Sequence, residues 1–353
     1  MPRTRPAPAS TPGTTSAPPP RAEPVPRKLI VDTDPGIDDA VAIFLAAASP
    51  ELDLLGLTTV FGNCATAVAT RNALILLDVA DRPDVPVARG ATDPVASTYL
   101  GAIPHIHGTD GMGDGGELPA PTREPVAESA AEFLCRTVAE HPGEVTILAV
   151  GPLTNLALAL RLRPDLDTLV DQVVVMGGNA LVPGNATPAA EANMLNDPEA
   201  ADVVFGARWP VTMVGLDVTH KANLRGADLD RITAADTPAG RHLARALPLY
   251  RAFMERTNGL DGIYTHDPSE VAYLIDPTAF RTEAWPRRGR SGWRPRVSAA
   301  ARRGPTSATP TTRPRPRGRT GRWSTCASTS TRPAWSTWSC AGSADRPGVV
   351  AVE

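Results

Sequence analysis

Short apolar runs alternate along the chain with segments whose apolar positions recur every three or four residues. Leu29-Ile30-Val31 reads as a buried strand. Pro35-Gly36 ends it, and Asp38-Asp39 opens an amphipathic helix that runs to about Ala48. The same rhythm predicts strands at 52–60, 145–150, 172–176 and 211–216. It predicts helices at 65–79, 124–140, 153–160 and 198–205, the last opened by the cap Asp197 with proline at its first position. Strands and helices alternating at this spacing predict an α/β fold with a doubly wound, mostly parallel sheet flanked by helices.

Such sheets gather ligands at the carboxyl ends of their strands. The polar, glycine-rich segments Gly62-Asn63, 105–116, 177–196 and 264–268 are therefore candidate site loops. The first turn is the most unusual. Asp32, Asp34, Asp38 and Asp39 crowd into eight residues. Helix capping accounts for one or two acids there, but not for four. Carboxylates this close repel, so the turn needs a cation, a shared proton or hydroxyl groups to bind. Oxygen ligands with no neighbouring cysteine point to Ca²⁺ or Mg²⁺.

Charge sharpens this picture. The net charge of -3 hides a split: residues 28–280 hold 16 Lys+Arg against 34 Asp+Glu, near -18, whereas 281–353 hold 15 Arg against three acids, near +12. An acidic body argues against a nucleic-acid partner. The four cysteines (Cys64, Cys135, Cys326, Cys340) form no CxxC pair, which disfavours zinc and a disulfide framework and fits a reducing cytoplasm. Residues 1–27 lack the apolar core of a secretory signal and read as a disordered leader. No apolar run is long enough to span a membrane, so the expected location is cytoplasmic. Beyond Phe280 the periodicity vanishes, and five of the six tryptophans fall in a stretch rich in Arg, Pro, Ser and Thr. Out-of-frame translation of GC-rich DNA has that composition. The expected organisation is one domain at 28–280 followed by a low-complexity basic tail, 281–353, produced by a frameshift.

The Asp-Thr-Asp-Pro-Gly-Ile-Asp-Asp-Ala segment at 32–40 resembles the signature of the nucleoside hydrolase family, the inosine-uridine-preferring nucleoside N-ribohydrolases. Four further segments match in the family's order: Val60-Phe-Gly-Asn63; Ala149-Val-Gly-Pro-Leu-Thr-Asn155; Met176-Gly-Gly178 with Gly184-Asn-Ala-Thr187 and Glu191-Ala-Asn193; and Thr265-His-Asp-Pro268. The resemblance implies Ca²⁺-dependent hydrolysis of the N-glycosidic bond of ribonucleosides to ribose and free base. It assigns the cation to Asp34, Asp39, Asp267 and the carbonyl of Val150. Asp34 doubles as the base that activates water. The ribose falls to Asp38, Asn63, Asn185, Glu191 and Asn193. His266 is assigned to the leaving base, and His107 to the active site. The family also implies a homodimer or homotetramer.

Two other readings of the residues stand beside this one. An Asp-x-Asp phosphatase would use Asp32 as its nucleophile, and a nucleoside- or ribose-binding protein would need no catalytic group. Asp217-Val-Thr-His220 reads as structural, and the loop bearing Asp110 and Asp114 reads as a lid. The segment 250–264 is expected to flank the base, with Phe253, Asn258 and Tyr264 as candidate contacts. Ala192 stands where relatives carry an aromatic residue, which weakens stacking on the ligand.

Overall fold

Strand β1 (Arg27–Thr33) is buried on both faces. Leu29 and Val31 join one apolar cluster and Ile30 the other, so the alternation of a single strand supplies both cores of the sheet. The computed structural model describes residues 25–285 and 349–352. The expected leader, apart from its last residues, and most of the expected tail therefore lie outside the described residues.

The remaining strands are β2 (Leu52–Thr59), β3 (Val87–Arg89), β4 (Val126–Ser129), β5 (Val145–Ala149), β6 (Gln172–Met176), β7 (Val211–Val214), β8 (Asn223–Arg225), β9 (Gly262–Tyr264), β10 (Thr282–Trp285) and β11 (Val349–Val352). The helices are α1 (Ile37–Ala48), α2 (Thr66–Val79), α3 (Pro104–His107), α4 (Ala130–Glu140), α5 (Thr154–Leu162), α6 (Ala192–Asn196), α7 (Pro198–Gly206), α8 (Leu216–Thr219), α9 (Gly226–Thr233), α10 (Pro238–Asn258) and α11 (His266–Ile275).

The main sheet runs β10-β11-β7-β6-β5-β1-β2-β3-β4. All neighbours are parallel except β10 and β11. This is the doubly wound architecture that the sequence pattern predicts. Helices α1, α2, α10 and α11 cover one face, and α4, α5 and α7 cover the other. The order reverses at β1, which has β2 on one side and β5 on the other. A crevice opens at such a reversal, outside the carboxyl ends of the strands. It receives the turn after β1 and the residues after β5. Among the described residues no helix is long and apolar enough to cross a membrane.

The pattern misplaced one boundary. The helix expected over 124–140 begins only at Ala130, because Ser129 and Glu132 form a capping box that starts it there. The β-branched Val126, just after Pro125, instead extends the sheet edge against β3. A β-bulge between β1 and β2 places Gly56 where an added Cβ would strike the Phe133 ring, so helix α4 sits directly on the sheet.

Asp197 shows how the second layer is tied together. It caps α7 through Ala200 N (3.0 Å), and its other oxygen accepts from the Thr154 hydroxyl (2.6 Å) and Val95 N (2.9 Å). Asp197→Ala leaves three donors without partners, those of Thr154 and Ala200 buried, and should cost about 3 kcal/mol, from the usual penalties for a lost cap and unmade hydrogen bonds. Urea unfolding checks this: the midpoint should fall at constant slope, and a loss below about 1 kcal/mol would show that the cap is dispensable.

Candidate active site

The turn between β1 and α1 is built by its own carboxylates. Asp39 accepts from the Thr33 hydroxyl with one oxygen, and from Gly36 N (2.9 Å) and Asn63 Nδ2 (3.0 Å) with the other. It thereby closes the first turn of the helix that carries it. Asp34 accepts from Asn63 N (2.6 Å) through Oδ2, while its Oδ1 is buried with no protein partner. Gly62 has a φ of +156°, and any Cβ there would overlap the Asp34 carboxylate. The same crowding holds at Gly151, whose Cβ would lie 2.8 Å from Asp34 Oδ1. The backbone that follows β5 thus lies against the orphaned oxygen.

Helix α11 brings in a further acid, Asp267, from its first turn. Oxygens of Asp38, Asp39 and Asp267 lie within 4.8 Å of one another, all buried. Burial raises the pKa of every member of this cluster, and mutual repulsion adds to it. Asp34 and Asp267 are pushed well above the ordinary carboxylate value by burial first and then by neighbouring aspartates. Asp39 is raised for the same reasons, and Asp38 is pushed to about 6, chiefly by burial. Without a counter-charge these groups must hold protons. Hard oxygen donors, two of them (Asp34 Oδ1 and Asp38 Oδ1) buried and unpartnered, suit a divalent cation of the Ca²⁺ or Mg²⁺ kind. Asp32 stands apart: it is fully buried, held by Thr58 Oγ1 and Asn155 Nδ2 (2.7 Å), and raised to about 7 by burial. Both donors meet its Oδ1, which makes it a support for the turn rather than a phosphatase nucleophile.

The other assigned groups surround this cluster, with one exception. Glu191 caps α6 by accepting from Asn193 N and Met194 N, and it also accepts from Gly178 N at 3.0 Å. Asn193 Nδ2 donates to the carbonyls of Val150 (2.9 Å) and Met176 (3.2 Å), linking the ends of β5 and β6. Asn63 serves both Asp34 and Asp39. Asn185 is exposed and commits its Oδ1 to Ala192 N (3.0 Å), so the structure leaves it outside the buried group. His107, at the end of α3, accepts from Ile37 N at Nδ1 (3.1 Å), which places its ring proton on Nε2. Burial lowers His107 to about 4, so the ring is neutral.

His266 opens α11 beside Asp267. Its Nδ1 pairs with the Thr219 hydroxyl at 2.8 Å, and burial lowers it to about 3. The rings of His220 and Tyr264 pack against it at 5.7 and 5.6 Å. Beyond them a cavity of about 540 Å³ is lined by His220, Tyr264, Asn223 and Asn258 among others. Tyr264 and Asn258 thus line this cavity, whereas Phe253 packs on His105. The 105–116 loop closes on itself: Asp114 accepts from Thr109 N and Asp110 N, and Asp110 from Met112 N and Asp114 N.

Two contributors escape a reading of the sequence. Tyr250 interacts electrostatically with Asp38 and stacks on His107 at 5.8 Å, yet its spacing with Leu243, Leu247 and Met254 looks like an ordinary core stripe. Glu270, one turn beyond Asp267, is fully buried with neither oxygen partnered, and burial raises it well above the usual range. Only its place in a signature-bearing helix hints at the site.

The sequence model of the family described as inosine-uridine preferring nucleoside hydrolase matches residues 29–326. Uridine nucleosidase 1 of Arabidopsis thaliana is 46% identical over 253 residues, covering 72% of this chain and 75% of the relative. The pyrimidine-specific ribonucleoside hydrolase RihA of Salmonella schwarzengrund is 42% identical over 259 residues, 73% and 82% of the two chains. A plant nucleoside hydrolase, PpNRh1, superposes with a TM-score of 0.72 at 39% identity, over 80% of this chain and 91% of that one. The chain belongs to the inosine-uridine preferring nucleoside hydrolase family and is an N-glycosyl hydrolase acting on ribonucleosides.

Proposed function

We propose that the protein is a Ca²⁺-dependent hydrolase of pyrimidine ribonucleosides, releasing ribose and the free base. The observation that carries this reading is the buried carboxylate cluster with its orphaned oxygens, set at the reversal of the sheet. The pyrimidine preference rests on the relatives named for uridine and for pyrimidines.

Asp34, Asp39, Asp267 and the Val150 carbonyl are the groups that would hold the cation. When bound, it offsets their repulsion and makes a water molecule more acidic. Asp34 Oδ1, free of any protein donor, takes a proton from the attacking water. Asp38, Glu191, Asn193 and Asn63 bind the ribose hydroxyls. As the base departs the sugar becomes oxocarbenium-like, and this ring of carboxylates favours the developing positive charge. His266 and His107, neutral and buried, offer hydrogen bonds rather than charge on the base side.

Steady-state assays of base release test the reading. Uridine should be cleaved with higher kcat/KM than inosine. EDTA should abolish turnover, and Ca²⁺ should restore it. Asp34→Asn should lower kcat on the order of 10³-fold, the usual worth of a general base, with KM changed much less. Turnover unaffected by thorough cation removal would contradict the proposal.

Stability offers a second check. In cation-free protein burial pushes Asp38 up to about 6 and Asp32 to about 7, and burial with neighbouring aspartates holds Asp34 and Asp267 well above the ordinary carboxylate value. Groups raised in this way stabilise the fold at low pH and lose that contribution as pH climbs through the folded pKa. The buried histidines act oppositely, but only below their unfolded value near 6.5. In EDTA, Tm should therefore fall between pH 6.5 and 8, and Ca²⁺ should reverse most of the loss at pH 8. A Tm that is flat or rising with pH over this window would refute the charge cluster as the weak point of the fold.

A further inference from the structure

The segment Asp217-Val-Thr-His220 looks structural in the sequence, and half of it is. Asp217 accepts from Ala180 N (2.7 Å) and Leu181 N (2.8 Å), fixing α8 to the loop after β6. Thr219 closes α8, is fully buried, and directs its hydroxyl at His266 Nδ1 across 2.8 Å. A histidine ring with one proton can meet a hydroxyl in two ways. If Nδ1–H donated, the Thr219 hydroxyl proton would have no acceptor among the described residues, a cost of about 1–3 kcal/mol for a buried donor. If the hydroxyl donates, both partners are satisfied, and the ring proton must sit on Nε2. His266 Nε2 makes no hydrogen bond within the described residues and is not a buried orphan atom, so it keeps access to the cleft.

We propose that Thr219 is a positioning residue that locks His266 as the Nε2–H tautomer, so that this N–H meets the departing base. The inference rests on the hydrolase reading above. When the C1′–N bond breaks, its electron pair stays on the base, and in uracil the charge spreads onto the carbonyl oxygens. The Nε2–H group donates a hydrogen bond to that charge and keeps its proton; the base is protonated afterwards by water. His107 presents the same Nε2–H tautomer because Ile37 N occupies its Nδ1. Two histidines thus carry their ring proton on Nε2, the nitrogen left free by each Nδ1 contact.

Thr219→Val, which keeps the shape and removes the hydroxyl, tests the proposal with two substrates. Uridine needs help with its leaving group, whereas p-nitrophenyl β-D-ribofuranoside releases a stable phenolate without it. The expected result is a fall in kcat/KM for uridine of about 10-fold or more, the worth of one hydrogen bond to a developing charge. The nitrophenyl substrate should change far less, and Thr219→Ser should recover most of the uridine activity. Equal losses on both substrates, or no loss on uridine, would overturn the assignment. A readout independent of turnover is the nitrogen NMR spectrum of ¹⁵N-histidine-labelled full-length protein at pH 7, with His266→Gln to assign the signal. It should show His266 protonated at Nε2, and protonation at Nδ1 would overturn the proposal even if valine at 219 prevented folding. If the wild-type chain released no base from any nucleoside, the hydrolase reading would fall, while the NMR spectrum would still decide the tautomer.

Discussion

The structure depends on one electrostatic constraint: several carboxylates share a buried turn in which they cannot all be ionised. Much of the neighbouring backbone is shaped by it. Asp39 occupies itself with Thr33, Gly36 and Asn63, so its charge is spread over the start of α1. Gly62 and Gly151 leave room for the Asp34 carboxylate that no side chain would allow. What these donors leave unmet, at Asp34 Oδ1 and Asp38 Oδ1, is the demand for a cation. The same residues therefore decide the fold of the turn, its weakness without a counter-charge, and its chemistry.

Topology makes the arrangement possible. Residues distant in sequence reach one point because β1 is flanked by β2 and β5, and because α11 packs across α1. Asn193 then ties the ends of β5 and β6 to each other. On the proposed reading the result is polarised: carboxylates would lie around the sugar, and the buried, neutral histidines on the side of the base. This separation matches a reaction in which positive charge grows on the ribose and negative charge on the leaving group.

Much of this was legible in the sequence, for physical reasons. Strands buried on both faces read as short apolar runs, and Asp-Pro-Gly followed by two acids reads as a strand-to-helix turn. The doubly wound sheet followed, and with it the place of the site. Legibility failed where one pattern carries two meanings. Tyr250 repeats with its neighbours like a core residue while stacking on His107. Ser129 and Glu132 cap a helix inside a stretch whose periodicity runs on without a break. Thr219 shows no chemical sign in the sequence, because its partner His266 is 47 residues away and only the fold brings them together. Asn185 sits in a matching segment but is exposed, since a loop's composition does not fix which of its amides turns inward.

The most direct test of the account is calorimetric titration of cation-free protein with Ca²⁺ at pH 7 in two buffers that differ in ionisation enthalpy. The difference between the two heats counts the protons released on binding. If the buried carboxylates hold protons that a cation displaces, binding should be tight and should release about one proton or more per ion. Absence of binding, or binding with no proton release, would contradict the claim that a cation balances the charge of this turn.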